Sequence, residues 1–207
     1  MLDSVRLYCL RHGESANVLA RAAGVLPTAG LTDRGREQAS VAATALATEP
    51  IAGVYASSAL RAQQTAEIIA RAHGRRPTIM ADLAEVGIGK LEGATDAATR
   101  ARTAEVLRSW VVDGDLDPRV GDGEDGHAVV DRMTRALTAI ADSQPGATAV
   151  VVGHVASLTV ALATICHPGT EIWGAPLPYA VPFLVERTPD GWRCPAWPTR
   201  PAATEQR

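Results

Sequence analysis

The sequence predicts an α/β protein, a three-layer α/β/α sandwich with a mostly parallel central sheet, on three observations. Short apolar runs alternate with helix-length amphipathic stretches, which is the pattern of βαβ units. The runs Val5 to Leu10, Ile51 to Tyr55 and Ala147 to Val152 read as strands buried on both faces. Near the end of each run stands a chemically capable side chain: His12, then Arg61, then His154. In an open parallel sheet those ends share one edge, where ligands bind, so the three side chains can converge.

The elements follow in order. Val5 to Leu10 stops abruptly at Arg11, His12 and Gly13 and forms the first strand. Residues 16–30 are a Gly- and Ala-containing loop with weak periodicity. Thr32 or Asp33 can cap a helix from Gly35 to Ala47, with Glu37 in its first turn and Pro50 as its stop. After the strand from Ile51, Ser57 and Ser58 are natural caps for a helix from Leu60 to Ala72, closed at His73-Gly74. Arg61 therefore falls in the first turn of that helix. Pro77 to Met80 is a weak third strand, followed by a Gly-punctuated stretch from Asp82 to Gly89 and a helix from Ala97 to Val112. The acidic, Gly- and Pro-containing segment Asp113 to Asp125 reads as an exposed loop.

Val129, Val130, Met133, Ala136, Leu137 and Ile140 recur at helical spacing and make one apolar face. Pro145-Gly146 turns the chain into the run from Ala147, and an apolar helix follows His154 to about Cys166. Ala180 to Val185 and Trp192 to Trp197 read as a late hairpin or a pair of edge strands. No repeat or linker divides the chain. Residues 1–198 are expected to form a single domain, with 199–207 a mobile tail.

A chain of 207 residues can bury a sizeable core, and 46% apolar with 21% charged residues is ordinary for a globular protein. No apolar run approaches the ~18 residues of a membrane span. The opening Met1-Leu2-Asp3-Ser4-Val5-Arg6 has no secretory pattern, so a cytoplasmic location is expected. A net charge of −3 argues against a basic nucleic-acid face but not against a local anion site built from arginine, the more so as Lys90 is the only lysine. Cys9, Cys166 and Cys194 form no C-x-x-C pair, and a metal site from Cys166, His167 and Cys194 would need distant residues to meet. His73 and His167, at helix ends, read as structural.

Arg11-His12-Gly13-Glu14-Ser15 places a planar donor fork beside a nitrogen that can be neutral and nucleophilic near pH 7. An Arg-His pair alone could be a solvated strand end, and His154 alone a satisfied core histidine. Together they resemble the histidine phosphatase superfamily, in the branch of cofactor-dependent phosphoglycerate mutases and small-molecule phosphatases. The resemblance covers most of the chain. Arg11 to Ser15 is similar to the family's signature, Leu31-Thr32 with Gly35 and Gln38-Ala39 to the opening of its first helix, and Ser57-Ser58 with Arg61, Ala62, Thr65 and Ala66 to its second phosphate-binding motif. Leu83, Glu85, Gly89, Glu92 and Gly93 resemble its proton-donor stretch, Gly123-Glu124 with Arg132 a further element, and Gly153-His154 its second catalytic histidine.

Some positions depart from that pattern. Asn17 comes one residue before the family's asparagine, with Val18 in its place. Pro27 stands near the position of a usual acid, Asp125 where a serine is common, and Val155 where a glycine is common.

The resemblance implies a metal-independent phosphatase without a cofactor. Its catalytic set would be His12 as phosphorylated nucleophile, Glu85 as proton donor, and Arg11, Arg61 and His154; Asn17 and Val155 would join them around phosphate and substrate. The expected partner is a small phosphorylated metabolite, with no nucleic acid and no membrane, and a homodimer stays open. The alternatives are a mutase that returns phosphate to the substrate and a non-catalytic binding module. The scattered Arg100, Arg102 and Arg108 do not make the longer basic segment of the mutases, which favours hydrolysis. Trp110, Trp173, Tyr179, His127 and the 113–125 loop are candidates for the pocket mouth.

Overall fold

The computed structural model describes residues 4–169 and 172–198. The predicted mobile tail, 199–207, lies outside the described residues. Among the described residues six strands form one sheet: β1 (Val5–Arg11), β2 (Ile51–Ser57), β3 (Thr78–Met80), β4 (Thr148–Gly153), β5 (Phe183–Thr188) and β6 (Gly191–Arg193). The order is β3-β2-β4-β1-β5-β6. The first four run parallel, while β5 is antiparallel to β1 and forms a hairpin with β6. The sheet is therefore mostly parallel, as predicted, with an antiparallel edge.

The central place of β4 explains its composition. All its residues are buried, and the period-2 pleat sends Ala149 and Val151 to one face, Val150 and Val152 to the other. One face is covered by α2 (Asp33–Ala45) and α3 (Leu60–Ala72), through small residues such as Ala42, Ala62 and Ala66. The opposite face carries α4 (Ala97–Arg108), α5 (Gly126–Ser143) and α6 (Val155–Cys166). Every predicted apolar position of α5 is buried, and Asp125 caps the helix by accepting from the Ala128 N–H at 2.8 Å. An aspartate thus does there what a serine would do. The three cysteines, scattered in sequence, pack in or against the core on this face.

Local boundaries differ where a side chain has a second partner. The first long helix starts at Asp33, because Thr32 accepts from Gly35 N–H at 3.0 Å. Its predecessor loop contains a one-turn α1 (Ala16–Leu19), too short to show periodicity. Neither Ser57 nor Ser58 caps α3: the cap position is Ala59, and Ser57 is turned toward His154 instead. The helix from Ala97 yields after Arg108 to a π-helical turn, Ser109–Asp113, ended by Gly114 at φ 71. That turn drives Trp110 into the core, where its indole N–H donates to Pro118 O at 2.9 Å. Trp110 is consequently no part of a pocket mouth; it fastens the acidic loop. Among the described residues no helix is long and apolar enough to cross a membrane.

Candidate active site

The site begins where β1 runs out. The His12 N–H still donates to Gly153 O at 3.1 Å, so the histidine is held against the end of β4. Gly13 follows because a Cβ there would run into the Gly35 carbonyl at the start of α2. Its N–H donates to Thr65 Oγ1 of α3 at 3.1 Å. Glu14 points away from the cavity: it accepts from Thr32 Oγ1 at 2.9 Å, and its N–H is held by Gln38 at 2.8 Å. Glu14 organises the turn.

Hydrogen bonds determine the tautomers of both histidines, because a guanidinium can only donate. Arg61 Nε donates to His12 Nε2 at 3.1 Å, so that nitrogen is bare, and His12 Nδ1–H donates to Gly13 O at 2.6 Å. Arg61 Nη2 also donates to His154 Nδ1 at 3.3 Å, which leaves His154 Nε2–H to donate to Ser57 Oγ at 2.7 Å. The two rings lie edge to face with centroids 5.1 Å apart. Burial, then His154, then Arg61 push the His12 pKa well below its ordinary value; burial, then Arg61 and Arg11, do the same to His154. Both imidazoles are therefore neutral near pH 7. His154 contributes no positive charge in this state.

This neutrality carries a stability cost at low pH. Unfolded imidazoles titrate near their ordinary 6.5, and the folded ones well below it. In that window the unfolded chain binds more protons, so stability rises with pH and is lost as pH falls below 6.5. The urea midpoint should drop between about pH 7 and pH 5, and drop less steeply in His154→Asn. Equal slopes in the two proteins would contradict the assignment.

Arg11 reaches the site from the other side. Its guanidinium stacks 3.9 Å over the Tyr179 ring, and Nη1 donates to Leu177 O at 3.3 Å. Its buried Nε has no protein partner, a donor that an anion would satisfy. Arg61 is further engaged by Leu26 O and Val25 O, each at 2.8 Å. Burial lowers both arginines from their ordinary value, yet a guanidinium stays charged at neutral pH.

Glu85 sits at the N-terminus of α6. Its carboxylate accepts from Ser157 N–H at 2.9 Å, Ala156 N–H at 3.3 Å and its neighbour Val86 N–H at 3.0 Å. The loop that presents it is held by Arg132, which donates to the carbonyls of Asp82, Ala84 and Glu85 while gripping Glu124 through two bonds of 2.7 and 2.9 Å. Glu124 in turn accepts from Gly87 N–H at 2.8 Å. Gly123 permits this closure, since a Cβ there would meet Gly87 O.

Arg11, His12, Asn17, Arg61, Glu85 and Val155 all line one cavity of about 210 Å³. His154 is fully buried behind Arg61 and off the cavity wall. Sequence reasoning placed Ser57 in the phosphate-binding motif but missed its bond to His154, the Arg11–Tyr179 stack, and the walls given by Thr103, Leu107 and Val120. His127 is at the surface, paired with Asp117. Among the described residues no group of three or more His, Cys, Asp or Glu side chains is placed to hold a metal ion.

Known proteins of the same build share this arrangement of chain. The chain is 31% identical to the protein named "Probable phosphoglycerate mutase GpmB" of Citrobacter koseri, over 82% of this chain and 77% of that one. It is 33% identical to the bifunctional protein Rv2228c of Mycobacterium tuberculosis over 81% of its own length, but spans only 46% of that longer protein. Its fold matches that of a mycobacterial glucosyl-3-phosphoglycerate phosphatase with a TM-score of 0.79 at 23% identity, covering 95% of this chain and 100% of the other. The model for branch 1 of the histidine phosphatase superfamily matches residues 7–199, and this chain belongs to that superfamily.

Proposed function

We propose that this chain is a phosphatase that hydrolyses a small phosphate monoester through a phosphohistidine on His12. One observation carries the reading: Arg61, on the wall of the cavity, donates to the bare nitrogens of two buried, neutral histidines. A phosphate dianion entering there can draw the N–H groups of Arg61 and the unpartnered Nε of Arg11 to its oxygens. That exchange frees the His12 Nε2 lone pair to attack phosphorus in line. Asn17, whose Oδ1 is held by Ser15 at 2.8 Å, has its amide N–H groups left for the same oxygens.

As the N–P bond forms, the bond from phosphorus to the ester oxygen breaks, and Glu85 gives that oxygen a proton. Water then attacks the phosphohistidine, Glu85 takes its proton, and inorganic phosphate leaves with His12 restored. His154 acts from behind, where its Nδ1 lone pair orients Arg61.

The mutase reading needs a cation for a second anionic group of the substrate. Arg100, Arg102 and Arg108 do not line the cavity; Arg102 pairs with Glu105 at 3.0 Å and Arg108 with Asp113 at 2.7 Å. This favours hydrolysis. Phosphate release from an ester panel, run beside isomerisation of phosphoglycerate with a bisphosphate primer, decides between the two. Release should dominate, and isomerisation without release would overturn the reading. Turnover should also persist in EDTA, since arginines supply the charge. Loss restored only by a divalent cation would contradict that. Arg61→Ala should slow turnover about a hundredfold or more, the scale for losing a preorganised charged donor. A folded variant at the normal rate would remove Arg61 from the mechanism.

A further inference from the structure

We infer that the alcohol esterified in the substrate is uncharged and apolar, and that it occupies a groove leading from the catalytic cavity between α4, the start of α6 and residues 172–176. The inference rests on the phosphatase reading and specifies its substrate class. The groove has a volume of about 320 Å³ and shares Leu107, Val155 and Ala156 with the cavity. That junction has chemical meaning. Ala156 N–H holds the Glu85 carboxylate at 3.3 Å, so the shared wall begins where the leaving oxygen would receive its proton. The alcohol departs from phosphorus at the mouth of the groove.

The groove can reward little but apolar surface. It is lined by side chains such as Val111, Ile172 and Trp173, and among the described residues that line it none is charged. Its one hydroxyl, on Thr159, already donates to Val155 O at 2.6 Å. Trp173 is 37% exposed, apolar area that a ligand could cover. Among the described residues, the only cationic side chains that line the cavity are Arg11 and Arg61, both engaged by the phosphate in the proposed reaction. Arg34 is not on the cavity wall; it lines a second cleft, on the other side of Arg11, beside Glu14 and Tyr179. A carboxylate or second phosphate on the alcohol would be desolvated here without a partner, which is unfavourable. Val155, where the family pattern has glycine, adds a branched apolar wall at the junction.

A homologous series of n-alkyl phosphates, from methyl to octyl, tests this directly. Their leaving alcohols have nearly equal acidity, so the chemical step is held constant while buried area grows. The value of kcat/KM should rise about fourfold per added methylene until the groove is filled. Glycerol 3-phosphate and 3-phosphoglycerate should be poorer than alkyl esters of similar size. In Trp173→Ala, and in Ala104→Glu at the exposed groove edge, the octyl-to-methyl ratio should fall roughly tenfold. Either variant serves if the other fails to fold. A flat or falling series from an enzyme that does hydrolyse methyl phosphate would overturn the apolar groove and leave the phosphatase reading intact. Absence of phosphate release from every ester would overturn the phosphatase reading itself.

Discussion

Replacing His12 by alanine is expected to cut turnover to about a ten-thousandth or less of the wild-type rate. The reason is positional. The His12 ring is fixed by Gly13 O at one nitrogen and by Arg61 at the other, so its orientation is set before substrate arrives. Among the described residues no other nucleophile has that placement, for the His154 lone pair is turned to Arg61 behind the cavity wall. The cavity left by alanine would admit water, but water there has no base holding it in line. Steady-state phosphate release, with far-UV circular dichroism to verify folding, checks the expectation. A folded variant retaining a tenth of the activity would show that His12 is not the nucleophile.

Glu85→Gln should slow hydrolysis of an alkyl ester by about a hundredfold to ten-thousandfold, because glutamine keeps the shape but cannot carry a proton. The amide oxygen can still accept from Ser157 N–H, so α6 and the loop gripped by Arg132 should stay in place. The diagnostic lies in the leaving group. A nitrophenolate departs without a proton, so phosphorylation of His12 by a nitrophenyl ester should recover, while water attack on the phosphohistidine stays slow. Rapid quench kinetics would then show a burst. An equal loss on good and poor leaving groups, with dephosphorylation unimpaired, would take the proton-carrying role from Glu85.

What was legible in the sequence follows from local physics. The buried β4 and the apolar face of α5 were readable because each is covered along its whole length. The convergence of His12, Arg61 and His154 was readable because parallel topology puts strand ends on one edge. The cap of α3 was misread because Ser57 is equally suited to a helix start and to His154, and the histidine takes it. Trp110 looked like a pocket residue, and only the π-helical turn shows that it points inward.

Contacts between distant segments stayed hidden. Arg11 meets Tyr179 through an irregular segment before β5, and Glu85 meets a helix 72 residues further along. Neither encounter leaves a periodic trace. The protonation of the histidines was likewise unreadable, since it depends on burial and on guanidinium groups brought in from elsewhere in the chain.

The central claim, a covalent phosphohistidine, is tested most directly by trapping it. Enzyme mixed briefly with a phosphate ester labelled at phosphorus and quenched in base should retain label that is stable to base and released by acid. Peptide mapping should place it on His12. In Glu85→Gln treated with the nitrophenyl ester, the labelled fraction should rise because breakdown is slower than formation. No labelled protein in wild type or in Glu85→Gln, under conditions where the ester is being hydrolysed, would contradict the account.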